Sequence, residues 1–233
     1  ICLDRWSPTA NYLSENIDGY EFIIIPLTFE QVIPEVEKGN VDFILANSSF
    51  YVELEYKFGV DRIATLKNRG SNGSYTTFGG VIFTSRKRDD LNVLNDLIGK
   101  DFMAVKESSF GGWRMAWREL EENGINPHED FKSLQYGKTH DAVVYAVRDG
   151  EVDAGTVRTD TLERMTAEGK IDIKDFKVFN EHDFGVVQHP FLHSTREYPE
   201  WPMAKVAHTD KRLAENVAVK LIEMPANSLA AEK

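Results

Sequence analysis

Twice in this chain a helix-like run ends in Gly-X-Val-Asp, passes into a short apolar strand, and emerges at a polar segment that opens another helix. The first copy is VEKGNVDFILANSSF, from Val36 to Phe50, and the second is VRDGEVDAGTVRTDTL, from Val147 to Leu162. Val36, Gly39, Val41 and Asp42 match Val147, Gly150, Val152 and Asp153, and the exits Asn47-Ser48-Ser49 and Arg158-Thr159-Asp160 match as well. A chain that repeats this unit is constrained to α/β lobes, each presenting a helix start at the carboxyl end of a strand. Such ends bind small polar ligands, anions above all, and two of them facing each other make a cleft.

The alternation extends beyond the repeat. Ser7-Pro8 reads as a helix start, and Tyr20 to Pro26 (YEFIIIP) reads as a buried strand. Helix then follows from Thr28 to Lys38, strand from Val41 to Ala46, helix from Ser49 to Phe58 and strand from Arg62 to Lys67. Asn68 to Thr77 is a loop by composition, and Phe78 to Thr84 is a strand. A second series opens at the strand Asp101 to Val105 and includes an amphipathic helix marked by Trp113, Ala116, Trp117 and Leu120. It closes with a strand at Phe176 to Phe179, after which His189 to Ser194 is predicted as a returning strand and Lys211 to Ile222 as a last helix. The alternation predicts mostly parallel sheets flanked by helices. The boundaries are placed at residues 1–85 plus 185–233 for one discontinuous lobe and 86–184 for the other. Two crossings of this kind permit hinge closure around a ligand.

Composition narrows the function. Lys and Arg number 27 against 38 Asp and Glu, a net charge of −11, which argues against nucleic acid as the main partner. It leaves a small anion open, because such a ligand responds to local groups. With 42% hydrophobic residues the chain can bury a sizeable core, and no stretch of it approaches membrane-spanning length. The single cysteine, Cys2, rules out an internal disulfide. His182, His189 and His193 have the spacing of no common zinc motif, so no metal and no cofactor is expected. The chain opens on ICLDRW without an initiator Met and reads as a piece of a longer protein.

The segments that can carry chemistry lie at strand exits. In VKESSFGGWRMAW a strand ends, two serines and two glycines follow, and a helix begins. Ser108 and Ser109 supply hydroxyls, while Gly111 and Gly112 offer backbone N–H groups to an oxyanion; a capped turn is the other reading. There is no Gly-Lys-Ser/Thr ending, so this is not a P-loop, and neither a Gly-X-Ser-X-Gly elbow nor an HExxH motif signals an enzyme. His140, in Thr139-His140-Asp141, sits at a predicted helix start. Thr159 can cap its helix or donate to a ligand. Asp160 can hold a ligand amine or hydroxyl, or pair with Arg158. Phe29, Asn47, Ser48 and Phe78 complete the candidates, the aromatics as pocket walls or as core.

These stretches resemble the phosphonate-type periplasmic substrate-binding proteins, and most closely the version used as the extracytoplasmic sensor domain of bacterial histidine kinases. The resemblance is carried by WSPTANYLSENIDGYEF, VDFILANSSFYVELE, RIATL, FGGVIF, FMAVKESSFGGWRMAWRELEENGI and THDAVVYAVRDGEVDAGTVRTDTLERM. It implies the two-lobed type II binding-protein fold, a small ligand such as an oxyanion, phosphonate or carboxylate in the inter-lobe cleft, and no catalysis by this domain. It also implies an extracytoplasmic location and a membrane-anchored kinase in the full-length protein; a homodimer is compatible with it. The same pocket in a transporter's binding component is the alternative. By the resemblance Ser108 and Ser109 hold phosphonate oxygens with His140, Asp160 contacts a substrate amine, and Phe29 and Phe78 stand where relatives often carry Tyr. His189, before Pro190, takes the place of an acid, Phe110 that of a small hydroxylated residue, and Ser48 that of a common Pro. The fold's first strand is expected before Cys2.

Overall fold

The structure, a computed structural model, describes residues 2–70, 73–179 and 191–232. The chain divides into two compact units, Ile1–Lys67 with Glu200–Lys233, and Asn68–Pro199. The passages therefore lie at 67/68 and 199/200, outside the 85/86 and 184/185 positions expected from sequence. The strand Gly80–Ser85 accounts for the first difference. It is buried through Thr84 and paired along its length with Ala154–Arg158, so it belongs to the second unit's sheet.

In the first unit a three-stranded sheet has the order Phe43–Leu45, Pro202–Lys205, Asp61–Thr65. Both pairings are antiparallel, because the central strand arrives from the returning chain and runs against its neighbours. Val32, Val36, Ile44, Phe50, Leu54 and Ala204 form its core beneath the helices Phe29–Glu37 and Ser48–Phe58. The first of these helices begins at Thr28, whose N–H donates to Gln31 Oε1 at 2.9 Å, half of a capping box. A second cluster packs Leu13 and Ile17 on Leu213 and Val217, joining the helices Cys2–Asn16 and Lys211–Ile222. The first of those helices starts well before the predicted Ser7-Pro8 and carries Pro8 inside it. A proline forfeits one helix hydrogen bond without barring the turn that precedes it.

The predicted strand Tyr20 to Pro26 joins no ladder among the described residues. Its side chains point alternately: Phe22 is half-buried against Phe43, while Ile23 is 71% exposed. Apolar patterning reports a strand-like backbone, but ladder membership requires a neighbour, and no described segment supplies one.

The second unit holds a five-stranded sheet in the order Phe176–Val178, Gly80–Ser85, Ala154–Arg158, Asp101–Ala104, Ser133–Tyr136. The last three run parallel and the first two antiparallel to their neighbours. The sheet is thus mixed, where mostly parallel pairing was expected. Helix-strand alternation cannot show that Gly80–Ser85 runs against the rest. Residues alternate between the two faces of this sheet, Val81 and Phe83 toward one core and Ile82 toward the other. The predicted loop Asn68 to Thr77 carries a small hairpin, Asn68–Gly70 with Gly73–Tyr75. The returning strand expected at His189 to Ser194 is not formed over its described residues 191–194, and His189 and Pro190 lie outside the described residues.

The repeat is real at the level of backbone hydrogen bonds. Gly39 and Gly150 end their helices at φ 70° and 75°, left-handed angles that glycine adopts without strain. In each copy the next N–H reaches back around the helix end, Asn40 to Glu35 O at 3.0 Å and Glu151 to Ala146 O at 2.8 Å.

Candidate functional site

The three parallel strands of the second unit have their carboxyl ends at one edge of the sheet, and the loops that leave them are the ones singled out from sequence. Asp101–Ala104, the middle strand, leads to the serine-glycine turn. Ser133–Tyr136 leads to His140, and Ala154–Arg158 leads to Thr159 and Asp160. Parallel pairing, and nothing local to any one loop, brings the three together.

Arg158 is where they meet. Its backbone N–H donates to His140 Nδ1 at 3.3 Å, its guanidinium lies 4.6 Å from the centre of the Phe78 ring, and its Nε is 3.5 Å from Asp160 Oδ1. Its Nε also donates to Thr159 O at 3.4 Å. A Cβ placed on Gly111 would lie 2.8 Å from the Cβ of Arg158 and 2.9 Å from Phe78, so the turn's backbone rests directly on both. From sequence Arg158 figures only as a possible ion-pair partner of Asp160. The signal available was its place at a strand exit, directly before the candidates Thr159 and Asp160.

The serine-glycine turn differs in detail from a row of open amides. Ser109 is the N-cap, and its Oγ accepts the Gly112 N–H at 3.2 Å. The helix opens with a wide turn, Phe110–Arg114, in which Arg114 N–H reaches Ser109 O at 3.0 Å, and then tightens into Met115–Glu122. Both glycines are buried. They pack closely inside the unit, on Phe78, Arg158 and Val105. Ser108 makes no side-chain hydrogen bond among the described residues, and the Ser109 hydroxyl keeps its own proton to donate. A Cβ on Gly112 would stand 2.5 Å from Val105 Cγ2, so Gly112→Ala is expected to cost about 1–3 kcal/mol. A lowered urea midpoint would show it.

His140 is the first residue of the helix His140–Arg148, capped by Thr139, whose Oγ1 accepts the Ala142 N–H at 3.2 Å. Burial, reinforced by the Arg158 and Arg164 charges, pushes its pKa down to about 4. The ring is therefore neutral near pH 7. Its Nδ1 accepts from Arg158, which assigns the proton to Nε2 and makes that nitrogen a donor. Asp141, beside it, pairs with Arg164 and with Lys170, the latter at 3.2 Å.

Two backbone outliers flank this edge. Lys138 and Asp160 adopt φ of 69° and 72°, the described non-glycine residues with positive φ. Such strain persists where surrounding structure over-determines it, and Lys138 and Asp160 each lie two residues from His140 and Arg158 respectively.

The other candidates have structural partners. Thr159 is buried, and its Oγ1 accepts the Gly79 N–H at 3.3 Å. Phe78 is buried in the short strand Thr77–Phe78 and belongs to the second unit, with its ring edge-on to Phe110 at 6.0 Å. Phe110 in turn meets Tyr198 at 4.9 Å, an aromatic that sequence reasoning missed. In the first unit Phe29 packs on Phe50 at 5.0 Å, buried Asn47 accepts the Phe50 N–H at 3.0 Å as a helix cap, and Ser48 Oγ donates to Glu200 O at 3.2 Å. His189 lies outside the described residues. Among the described residues no cluster of His, Cys, Asp and Glu could hold a metal ion.

The family described as "ABC transporter, phosphonate, periplasmic substrate-binding protein" matches residues 2–232. The tetrathionate sensor histidine kinase TtrS of Salmonella typhimurium is 31% identical over 222 residues, covering 95% of this chain; the chain spans 37% of that relative's length. Among solved structures, XAC2383 from Xanthomonas citri bound to ATP superposes with a TM-score of 0.72 at 16% identity, over 95% of this chain and 78% of that one. PhnD1 from Prochlorococcus marinus in complex with methylphosphonate does so at 0.71 and 14%, over 98% and 81%. At those identities the likeness concerns the fold, which is the type II periplasmic binding-protein fold expected from sequence.

Proposed function

The chain belongs to the family of phosphonate-type periplasmic substrate-binding proteins, and on that footing we propose that it is the extracytoplasmic sensor domain of a histidine kinase, taking a small oxyanion at the strand ends of its second unit. The observation that carries the reading is the set of donors gathered there: the Arg158 guanidinium, the neutral His140 ring with Nε2–H, and the Ser108 and Ser109 hydroxyls. A fixed cation with preset neutral donors holds an oxyanion that needs no proton from the site. The sensor kinase relative is named for tetrathionate, a dianionic sulfur oxyanion of this class. Binding, with no turnover, is the role proposed for this domain. The kinase and its membrane anchor are assigned to a longer protein, by analogy with the sensor kinase relative, of which this chain spans 37%. The family's own description favours a second reading, the binding component of a phosphonate-type transporter, with the same site and a different output.

Calorimetry with tetrathionate, sulfate, methylphosphonate and small carboxylates tests the reading. Heat with at least one oxyanion supports it, and silence across the panel defeats it. The pH profile adds a second check. Because His140 donates as a neutral ring, affinity for tetrathionate, whose own charge is constant over this range, should stay flat from about pH 8 to about pH 5.5, whereas a cationic imidazole would strengthen binding as the pH fell through its ordinary value near 6.5. Stability behaves differently. Between about 6.5 and about 4 the unfolded chain binds the proton that folded His140 refuses. The contribution is whole above 6.5 and is lost as the pH falls toward 4. His140→Gln should remove that dependence from the urea midpoint.

A further inference from the structure

Resting on the oxyanion reading above, we propose that Asp160 is the built-in counter-ion of Arg158 and a competitor of the ligand, so that the site selects oxyanions without an amino group. The family resemblance gives Asp160 the opposite task, contact with a ligand amine. Its surroundings here argue against that task. Its Oδ1 lies 3.5 Å from Arg158 Nε, beside a permanent cation. An ammonium group brought to this carboxylate would meet a guanidinium of like charge.

Local geometry is arranged around the pair. Asp160 is the N-cap of the helix Thr161–Ala167, yet its side chain makes no capping hydrogen bond. An N-cap aspartate would ordinarily accept an N–H of the first turn. Its backbone also sits at φ 72°, ψ −16°, a conformation that non-glycine residues adopt at a cost. The residue thus forgoes its cap and accepts strain while its carboxylate stands at the guanidinium. Arg158 cannot easily turn away. Its side chain is 22% exposed, it lies over Phe78, and its backbone is tied to His140. An arriving oxyanion is attracted by Arg158 and repelled by Asp160, and it must take over guanidinium contacts that the carboxylate holds. Affinity is held below what the donors alone would give, which suits a sensor that must release its ligand.

Titration of the purified domain and its Asp160→Asn variant with tetrathionate, methylphosphonate and 2-aminoethylphosphonate tests this. Asn tolerates left-handed backbone, so the variant should fold; Asp160→Gly, which accepts the same φ, is the second variant. The expected result is that both variants bind tetrathionate and methylphosphonate roughly tenfold more tightly than the parent. The parent should show no preference for 2-aminoethylphosphonate over methylphosphonate. Unchanged or weakened binding of the amine-free probes in both variants would overturn the counter-ion role. So would a parental preference for the amine that Asp160→Asn erases. If no probe binds the parent or either variant, the oxyanion reading itself falls, a result distinct from the other two.

Discussion

Arg158→Gln should leave the domain folded and weaken oxyanion binding by roughly tenfold to a hundredfold. A hydrogen bond from a charged donor to an anion contributes about 1.5–3 kcal/mol, and glutamine keeps neither the charge nor the planar fork. The substitution is well suited to the question because the Arg158 contact that fixes His140 is made by the backbone N–H and survives it. Also lost are the cation over the Phe78 ring, about 0.5–2 kcal/mol of local packing, and the Nε contacts to Thr159 O and Asp160. Arg158→Lys should recover part of the affinity, through charge without the bidentate geometry. Parallel calorimetry and urea titration separate the two effects. A Gln variant that binds as tightly as the parent would remove the anion site from this edge of the sheet, whatever ligand the protein takes.

The features legible in the sequence are those encoded within a few residues. The helix ends at Gly39 and Gly150 are set by a glycine and its neighbours, and the helices His140–Arg148 and Lys211–Ile222 by caps and apolar spacing. Sheet assignment is not local. The apolar run Tyr20 to Pro26 reads as a buried strand, but Ile23 and Ile25 stand exposed because pairing depends on a neighbour from elsewhere. Pro202–Lys205, central in the first sheet, carries only PMAK and gives no strand signal of its own. The site divides the same way. Ser109 and His140 announce themselves as polar residues at helix starts. Arg158 becomes the centre only when parallel pairing sets the three strand exits side by side, and one-dimensional reading saw just an ion pair with a near neighbour. Gly111 and Gly112 stand out in the sequence, but the clash a Cβ there would make with Val105 and Phe78 is visible only in three dimensions.

Trp113→Ala is expected to have the largest effect on stability, about 3–5 kcal/mol, which for a domain stable by about 5–15 kcal/mol is a large share of the total. Trp113 is fully buried and is the residue directly after Gly112, inside the wide helical turn that carries the serines. Its ring lies 6.3 Å from Phe102 and stacks on Trp117 at 5.7 Å, so it pins that turn to the core behind the sheet. Its Nε1, however, is buried with no hydrogen-bond partner among the described residues. A donor left unpaired costs about 1–3 kcal/mol, and phenylalanine would remove it along with part of the ring. The two substitutions should therefore diverge: Trp113→Phe loses volume but sheds an orphan donor, and its urea midpoint should fall by less than half the shift seen for alanine. If the two variants are equally destabilised, the indole N–H is satisfied in solution, and a buried water beside the serine turn becomes the simplest account. If alanine costs less than about 1 kcal/mol, the turn is held by something other than this side chain, and the positioning of Ser108 and Ser109 by the core behind them is lost as an explanation.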